Sequence, residues 1–514
     1  MKNYIYCHQA YNPNKGGVVG YLSCLYDSFE KTNPSLRTDN NIENCFLFPE
    51  LSSAGKYFPL VKCEDNIVKK HLAPINEFRT KDKTIEYCQS WFNRCLPLQE
   101  SVKIDFNELK SIHIHGAYNY PTIFNTLKKF NRDENTIKIL TTHNPFKPEY
   151  DDMDFATRKG IYDKKDLEIL SYYFNIRDEF AFKNCDALIF PTEESIEGYY
   201  NSWPKFDELI KNKKIYYCLT AANKKKATIP PKVLRESLGI PSNSKVFLYL
   251  GRFSTTRGYD ILVEAAKRII ANRSDIYFLV VGESGLSPII SPNWIQIPFT
   301  THPGDYIYMA DACVCPNRGS LFDLSMIEIL SLGTPLISCY VGGYKWLKDK
   351  TSGVFYCEQE NVESLICEIY QFAKLDCQSI EKLRKNNIKL YSERLCIDLF
   401  QKNYCRVIDE IYNDFRDLIK HKIYTSCHID IKKETFIQST KSVLMPNKTV
   451  DISEKENQKA TKKPDSSVHL SECISQQKEE TVACKTLNPT IRKLRKLCTN
   501  PKLYFKDFWI KHFK

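Results

Sequence analysis

The stretch PNRGSLFDLSMIEILSLGTPLIS, from Pro316 to Ser338, joins a turn, the opening of an amphipathic helix, a Gly-Thr-Pro stop and an apolar strand. It follows Ala312-Cys313-Val314-Cys315, a short apolar run broken by proline, which suits a buried parallel strand. Leu324, Ile327 and Leu330 then recur at helical spacing, so a helix is expected to begin near Phe322, just past a strand's carboxyl end. In open α/β sheets that junction is where ligands bind, and free amides at the helix start favour an anion or a hydroxyl-rich group. Glu328 falls about two turns into this helix, at the edge of its apolar stripe; alone, it reads as a solvated glutamate.

The same rhythm runs through most of the chain. Tyr4-Ile5-Tyr6-Cys7, Cys45-Phe46-Leu47-Phe48, Ile112-His113-Ile114-His115, Ile137 to Leu140 and Ala187 to Phe190 alternate with helical segments, as in a parallel, doubly wound sheet. Residues 51–102 are less regular and suit an insertion. A polar break at Lys224 to Lys232, KKKATIPPK, precedes a second alternation from Val246 to Leu250 onward. The expected division is a first Rossmann-like domain over 1–222, a second over 223–395, and a long closing helix from Cys396 to His421 within a segment 396–433.

Three loops carry further candidates. In LYLGRFSTTRGYDILVEAA the strand turns at Gly251, and Arg252 and Arg257 sit in a glycine-bounded loop at its carboxyl edge, a suitable clamp for a diphosphate. Gly16-Gly17 follows the first strand and opens a helix, which permits close approach of a bound group to free amides. His115 and His143 both stand at strand ends; alternation also puts His113 and His115 on one face, so a core role is open for either.

These elements, in this order, resemble the family-4 retaining glycosyltransferases of group 1. The segment from Pro316 is similar to that family's donor motif, in which two glutamates flank a Phe-Gly-Leu turn ahead of a helix ending in Gly-x-Pro. Glu328 matches the second glutamate, Ser320 stands at the first, and Phe322-Asp323-Leu324 replaces the turn. Gly251, Arg252 and Arg257 resemble the family's Gly-Arg-x-x-x-x-Lys-Gly element, Gly282 the turn after the next strand, and Gly16-Gly17 its glycine-rich loop. The resemblance implies the GT-B fold, two Rossmann-like doubly wound domains facing a cleft, with the last helix crossing back to the first domain.

It implies a nucleotide-sugar donor on the second domain, a glycan or lipid-linked acceptor on the first, and transfer with retention and without metal or other cofactor. Arg252, Arg257 and His143 would be catalytic. Gly16, Gly17, Gly251, Gly282, Ser320, Phe322, Asp323, Leu324 and Glu328 would bind the donor, with Glu328 on the ribose, and His115 would lie on the acceptor side. The replaced glutamate leaves a rival reading, a non-catalytic GT-B scaffold or glycan-binding subunit.

Composition bounds the rest. A chain of 514 residues with 42% hydrophobic and 13% aromatic content is globular over most of its length, and its 20 cysteines lie scattered through apparent strands and helices as reduced thiols. No apolar run reaches the roughly 18 to 20 residues that span a bilayer, and the amino terminus lacks a signal-like core, so a cytoplasmic location is expected. Residues 434–487, rich in Lys, Glu, Ser, Thr and Gln, suit a disordered linker. Residues 488–514 set eight Lys and Arg against Leu494, Leu497, Phe505, Phe508, Trp509 and Phe513, the pattern of a segment lying on an anionic membrane. No basic face with stacking aromatics suits nucleic acid. A membrane-directed tail suggests a lipid-linked glycan acceptor in bacterial capsule, lipopolysaccharide or other cell-surface polysaccharide synthesis, with the enzyme peripheral at the membrane's inner face.

Overall fold

The computed structural model describes residues 1–12, 16–32, 37–49, 97–98, 102, 104–283 and 286–416. All belong to one compact unit spanning Met1–Asn447. The expected insertion (apart from a few residues), polar linker and basic tail lie outside the described residues, as does any helix beyond residue 416.

Each half of the unit is built on a six-stranded parallel sheet. The first holds β1 (Lys2–Tyr6), β2 (Glu43–Leu47), β3 (Leu109–His115), β4 (Ile137–Thr141), β5 (Ala187–Phe190) and β6 (Lys214–Tyr217) in the order β2-β1-β3-β4-β5-β6. The second holds β7 (Lys245–Gly251), β8 (Ile276–Gly282), β9 (Trp294–Pro298), β10 (Ala312–Cys315), β11 (Leu336–Cys339) and β12 (Val354–Cys357) in the order β12-β11-β10-β7-β8-β9. These are GT-B sheets, as the resemblance implied.

Parallel strands are covered on both faces, which is why they read as continuous apolar runs. Alternation splits each strand between two cores. Ile112, Ile114 and Leu140 pack on one side of the first sheet, and Ile5, Ile137 and Ile139 on the other. In the second sheet, Leu248 and Cys313 face one way while Phe247 and Val314 face the other.

Strand order reverses between β1 and β3 and between β7 and β10. Such reversals open a crevice at the carboxyl ends of the strands. The loops that leave β1, β7 and β10 are those carrying the glycine pair, the two arginines and the Pro316 segment.

The chain crosses between the halves twice, at neighbouring points. Ala222 N–H donates to the carbonyl of Leu395 over 3.1 Å, and Tyr391 OH donates to the carbonyl of Ala222 over 3.0 Å. The closing helix, Asp398–Asp414, then returns to the first sheet. Its Tyr404, Ile408 and Ile411 enter the core that contains Ile5 and Leu25. Asp409 accepts from the backbone N–H groups of Asp39 and Asn40, and Tyr216 OH donates to Asp414 over 2.6 Å.

Two boundaries differ from expectation. Asp323 has extended backbone, φ −66° and ψ 130°, so the ligand-side helix runs Leu324–Ser331 and Glu328 lies only about one turn in. The closing helix starts at Asp398 because Cys396 is still extended, φ −71° and ψ 149°.

Candidate active site

A cleft of about 730 Å³ lies where the carboxyl ends of the two sheets face one another. All the residues singled out from sequence line it except Ser320 and His115. From the first half come Gly16, Gly17 and His143; from the second come Gly251, Arg252, Arg257, Gly282, Phe322, Asp323, Leu324 and Glu328.

The arginine loop is fixed by close backbone packing. β7 and β8 end together, with Gly251 opposite Gly282, and a Cβ on Gly282 would lie 2.1 Å from the Gly251 carbonyl oxygen. Gly258 has φ +64°, and a Cβ there would meet the Pro316 carbonyl oxygen at 1.8 Å. The loops after β7 and β10 therefore touch through a glycine. Across this contact Arg257 Nη1 donates to Asp323 Oδ2 over 2.5 Å. The same oxygen accepts from Asn317 Nδ2 at 2.8 Å and Tyr344 OH at 3.1 Å. Asp323 thus holds a guanidinium at the cleft wall, and the carboxylate beside it raises the arginine's pKa against the cost of burial. Arg252 stays exposed on the same wall.

Glu328 pairs with Lys225, Oε1 to Nζ 2.9 Å. The pair is braced, since Lys225 N–H donates to Ser331 Oγ and Ser331 Oγ donates to the Glu328 carbonyl. Burial pushes the Glu328 carboxyl above the usual range, with Lys225 opposing. Its second oxygen is left to accept hydroxyl groups.

His143 has φ +65°, a left-handed conformation uncommon outside glycine. Its Nε2 lies 2.8 Å from His115 Nδ1. His115, expected on the acceptor side, is fully buried behind it and off the cleft wall; β3 turns His113 the same way, where its Nδ1 lies 2.9 Å from Tyr404 OH of the closing helix and its ring lies against His115. Burial pushes His113 and His143 down to about 3 and His115 well below the ordinary value, so all three rings are neutral.

Ser320 is also buried and off the cleft wall. Its carbonyl accepts from Gly343 N–H over 3.1 Å, and a Cβ on Gly342 would come within 1.9 Å of that oxygen. The Gly342-Gly343 pair therefore exists to let the turn at residues 320–322 close. Beside it the halves are bridged: Ser195 Oγ donates to the Leu321 carbonyl over 2.6 Å, Gly342 N–H donates to Glu197 over 2.8 Å, and Lys345 pairs with Glu197.

Sequence reasoning missed Lys225, Asp151 and Asn144. Lys225 is one of three successive lysines, and nothing in the run distinguishes it. Asp151 lines the cleft opposite Arg252, accepts from Asn144 Nδ2 over 2.7 Å, and is pushed above the usual carboxylate range by burial. Among the described residues, no group of three His, Cys, Asp or Glu side chains is placed to hold a metal, and no helix is long and apolar enough to cross a membrane.

Two parallel sheets with reversals facing one cleft, and a last helix returning to the first sheet, define the GT-B fold. Within this GT-B chain, residues 244–374 match the family described as glycosyl transferases group 1. Among curated relatives, D-inositol 3-phosphate glycosyltransferase 2 of Catenulispora acidiphila is 30% identical over 129 residues, 21% of this chain and 30% of the relative. The putative glycosyltransferase YtcC of Bacillus subtilis is 26% identical over 175 residues, 30% of this chain and 42% of the relative. These matches span less than half the length of either relative. Sucrose-phosphate synthase from Thermosynechococcus elongatus superposes with a TM-score of 0.53 at 15% identity, covering 80% of this chain and 99% of that one, a likeness of fold.

Proposed function

We propose that the chain is a retaining, metal-independent glycosyltransferase that moves a sugar from a nucleotide-sugar donor to a glycan or lipid-linked acceptor. The observation that carries the reading is the convergence of Arg257, Arg252, Glu328 and the Gly16-Gly17 loop on one cleft.

Charge grows on the leaving diphosphate as the bond to the sugar breaks. Arg257, held by Asp323, and Arg252 stabilise that charge without reorganising, while the amides at Gly16-Gly17 and at the Leu324 helix start face the phosphates. Glu328, oriented by Lys225, takes the ribose hydroxyls. His143, a neutral imidazole, contacts the transferring sugar, and Asp151 and Asn144 face the acceptor. Catalysis then rests on positioning and leaving-group stabilisation rather than a covalent intermediate.

The basic, aromatic-rich segment 488–514 supports attachment to an anionic membrane, each Lys or Arg adding about 1 kcal/mol near the lipid. With it goes a lipid-linked acceptor in bacterial cell-surface polysaccharide synthesis, capsule or lipopolysaccharide, at the inner face of the membrane. One observation favours a second reading, a non-catalytic GT-B subunit: Ser320 offers no carboxylate and is buried, and Asp323 is occupied by three donors.

A thermal-shift panel of nucleoside diphosphates and their sugar conjugates tests the reading, because a ligand at about a hundred times its Kd adds roughly 2.7 kcal/mol of stability. A shift selective for one nucleotide sugar is expected. No shift with any of them, from folded protein, supports the second reading.

A further inference from the structure

From the cleft inward, three neutral histidines stand in a row: His143, just past β4 on the cleft wall, then His115 and His113 on β3, both buried. His113 has a defined tautomer. Thr141 Oγ1 donates to the Ile189 carbonyl over 2.9 Å, so it receives from His113 Nε2–H at 2.9 Å, and Tyr404 OH supplies the proton at His113 Nδ1, 2.9 Å away. His115 is different: its Nδ1 meets His143 Nε2 at 2.8 Å, and its Nε2 is buried with no hydrogen-bond partner among the described residues.

Two proton arrangements satisfy the His115–His143 contact. If His143 donates from Nε2, then His115 carries its proton on Nε2, leaving a buried N–H without an acceptor. If His115 donates from Nδ1, only an unused ring lone pair is left at Nε2. An orphaned buried N–H is the rarer defect. With both rings neutral, no third arrangement arises.

We propose that His115 is a positioning residue that donates through Nδ1–H to His143 Nε2, fixing His143 as the Nδ1–H tautomer. Nε2 of His143 is then taken, and the ring offers the cleft a single N–H donor that recognises an oxygen lone pair of the sugar or acceptor. This deepens the transferase reading and rests on it for the role of the cleft, but the tautomer itself does not. The left-handed backbone at His143 accords with a ring whose orientation is imposed from behind.

The test is imidazole nitrogen NMR of the full chain labelled with ¹⁵N-histidine, with signals assigned through His143→Gln and His115→Asn. Protons on Nδ1 of both His115 and His143 are expected in the unsubstituted protein. A proton on His143 Nε2 overturns the proposal whatever the enzyme's activity. His115→Asn, whose amide nitrogen stands near the Nδ1 position, should keep the His143 tautomer and most of the turnover. His115→Leu should give mixed tautomers and lower kcat/KM for nucleotide-sugar consumption about tenfold or more at unchanged nucleotide affinity. An unaltered tautomer and kcat/KM in folded His115→Leu would also overturn it. If no nucleotide sugar is turned over, the transferase reading fails and the tautomer is still decided by the spectrum.

Discussion

Arg257 is held by Asp323 from the neighbouring loop, Nη1 to Oδ2 2.5 Å, with Asn317 and Tyr344 on the same carboxylate oxygen. The acid standing at the turn glycine of the motif that this segment resembles thus holds the arginine in place. Asp323→Asn should leave the fold in place at a stability loss of roughly 1 to 3 kcal/mol. It should lower turnover by on the order of a hundredfold, the usual effect of losing one preorganised charge-stabilising donor. Steady-state kinetics beside urea unfolding separates the two effects.

Nucleotide affinity should follow the ionisation of Glu328. Burial raises its carboxyl above the ordinary value of 4.5, so protonation, and loss of the acceptor oxygen, begins at a higher pH than for a free glutamate. Calorimetric titration at falling pH should show nucleotide binding weaken through that raised value. Glu328→Gln should bind about tenfold more weakly at neutral pH and lose that pH dependence.

Gly258 and Gly160 form a controlled pair. Both have φ +64°, but a Cβ on Gly160 meets nothing within 4 Å while one on Gly258 strikes the Pro316 carbonyl at 1.8 Å. Gly160→Ala should cost only the left-handed conformation, about 1 kcal/mol. Gly258→Ala should cost at least about 2 kcal/mol more, because the two ligand loops must part. Chemical denaturation of both variants measures the difference.

Acid should destabilise the protein through its buried imidazoles. His113 and His143 titrate at about 3 in the folded chain and near 6.5 when unfolded, so the unfolded state binds protons first as pH falls. Stability is full above about pH 6.5 and declines from there towards 3, each ring contributing roughly 1.4 kcal/mol per pH unit. Urea midpoints at pH 7.5 and 5.5 should differ accordingly, and His113→Phe should reduce the slope.

Much of this was legible in the residues. Ala312–Cys315 and Ala187–Phe190 are strands with the limits their apolar runs suggest, because parallel strands buried on both faces leave an uninterrupted signal. Gly282 betrayed itself because its strand end meets the Gly251 backbone and tolerates no Cβ, whereas a Cβ on Gly251 would meet nothing within 4 Å and that glycine is explained by its φ of +152°. Direction was harder to read. Period two put His113 and His115 on one face but could not say that the closing helix, some 290 residues on, would cover it. Ser320 occupies the right place in the motif, yet its side chain turns inward as its backbone carries the contact to Gly343. Lys225 was invisible because its role depends on where a linker passes the helix of Glu328.

The most direct measurement is time-resolved proton NMR of the purified chain with the nucleotide sugar that the thermal screen selects. No acceptor is needed, since water can take the sugar slowly. The account predicts release of nucleoside diphosphate with the first-formed sugar in the donor's anomeric configuration, and loss of that release in Arg257→Ala. Inverted product, or intact donor in the presence of a saturated and folded protein, would contradict it.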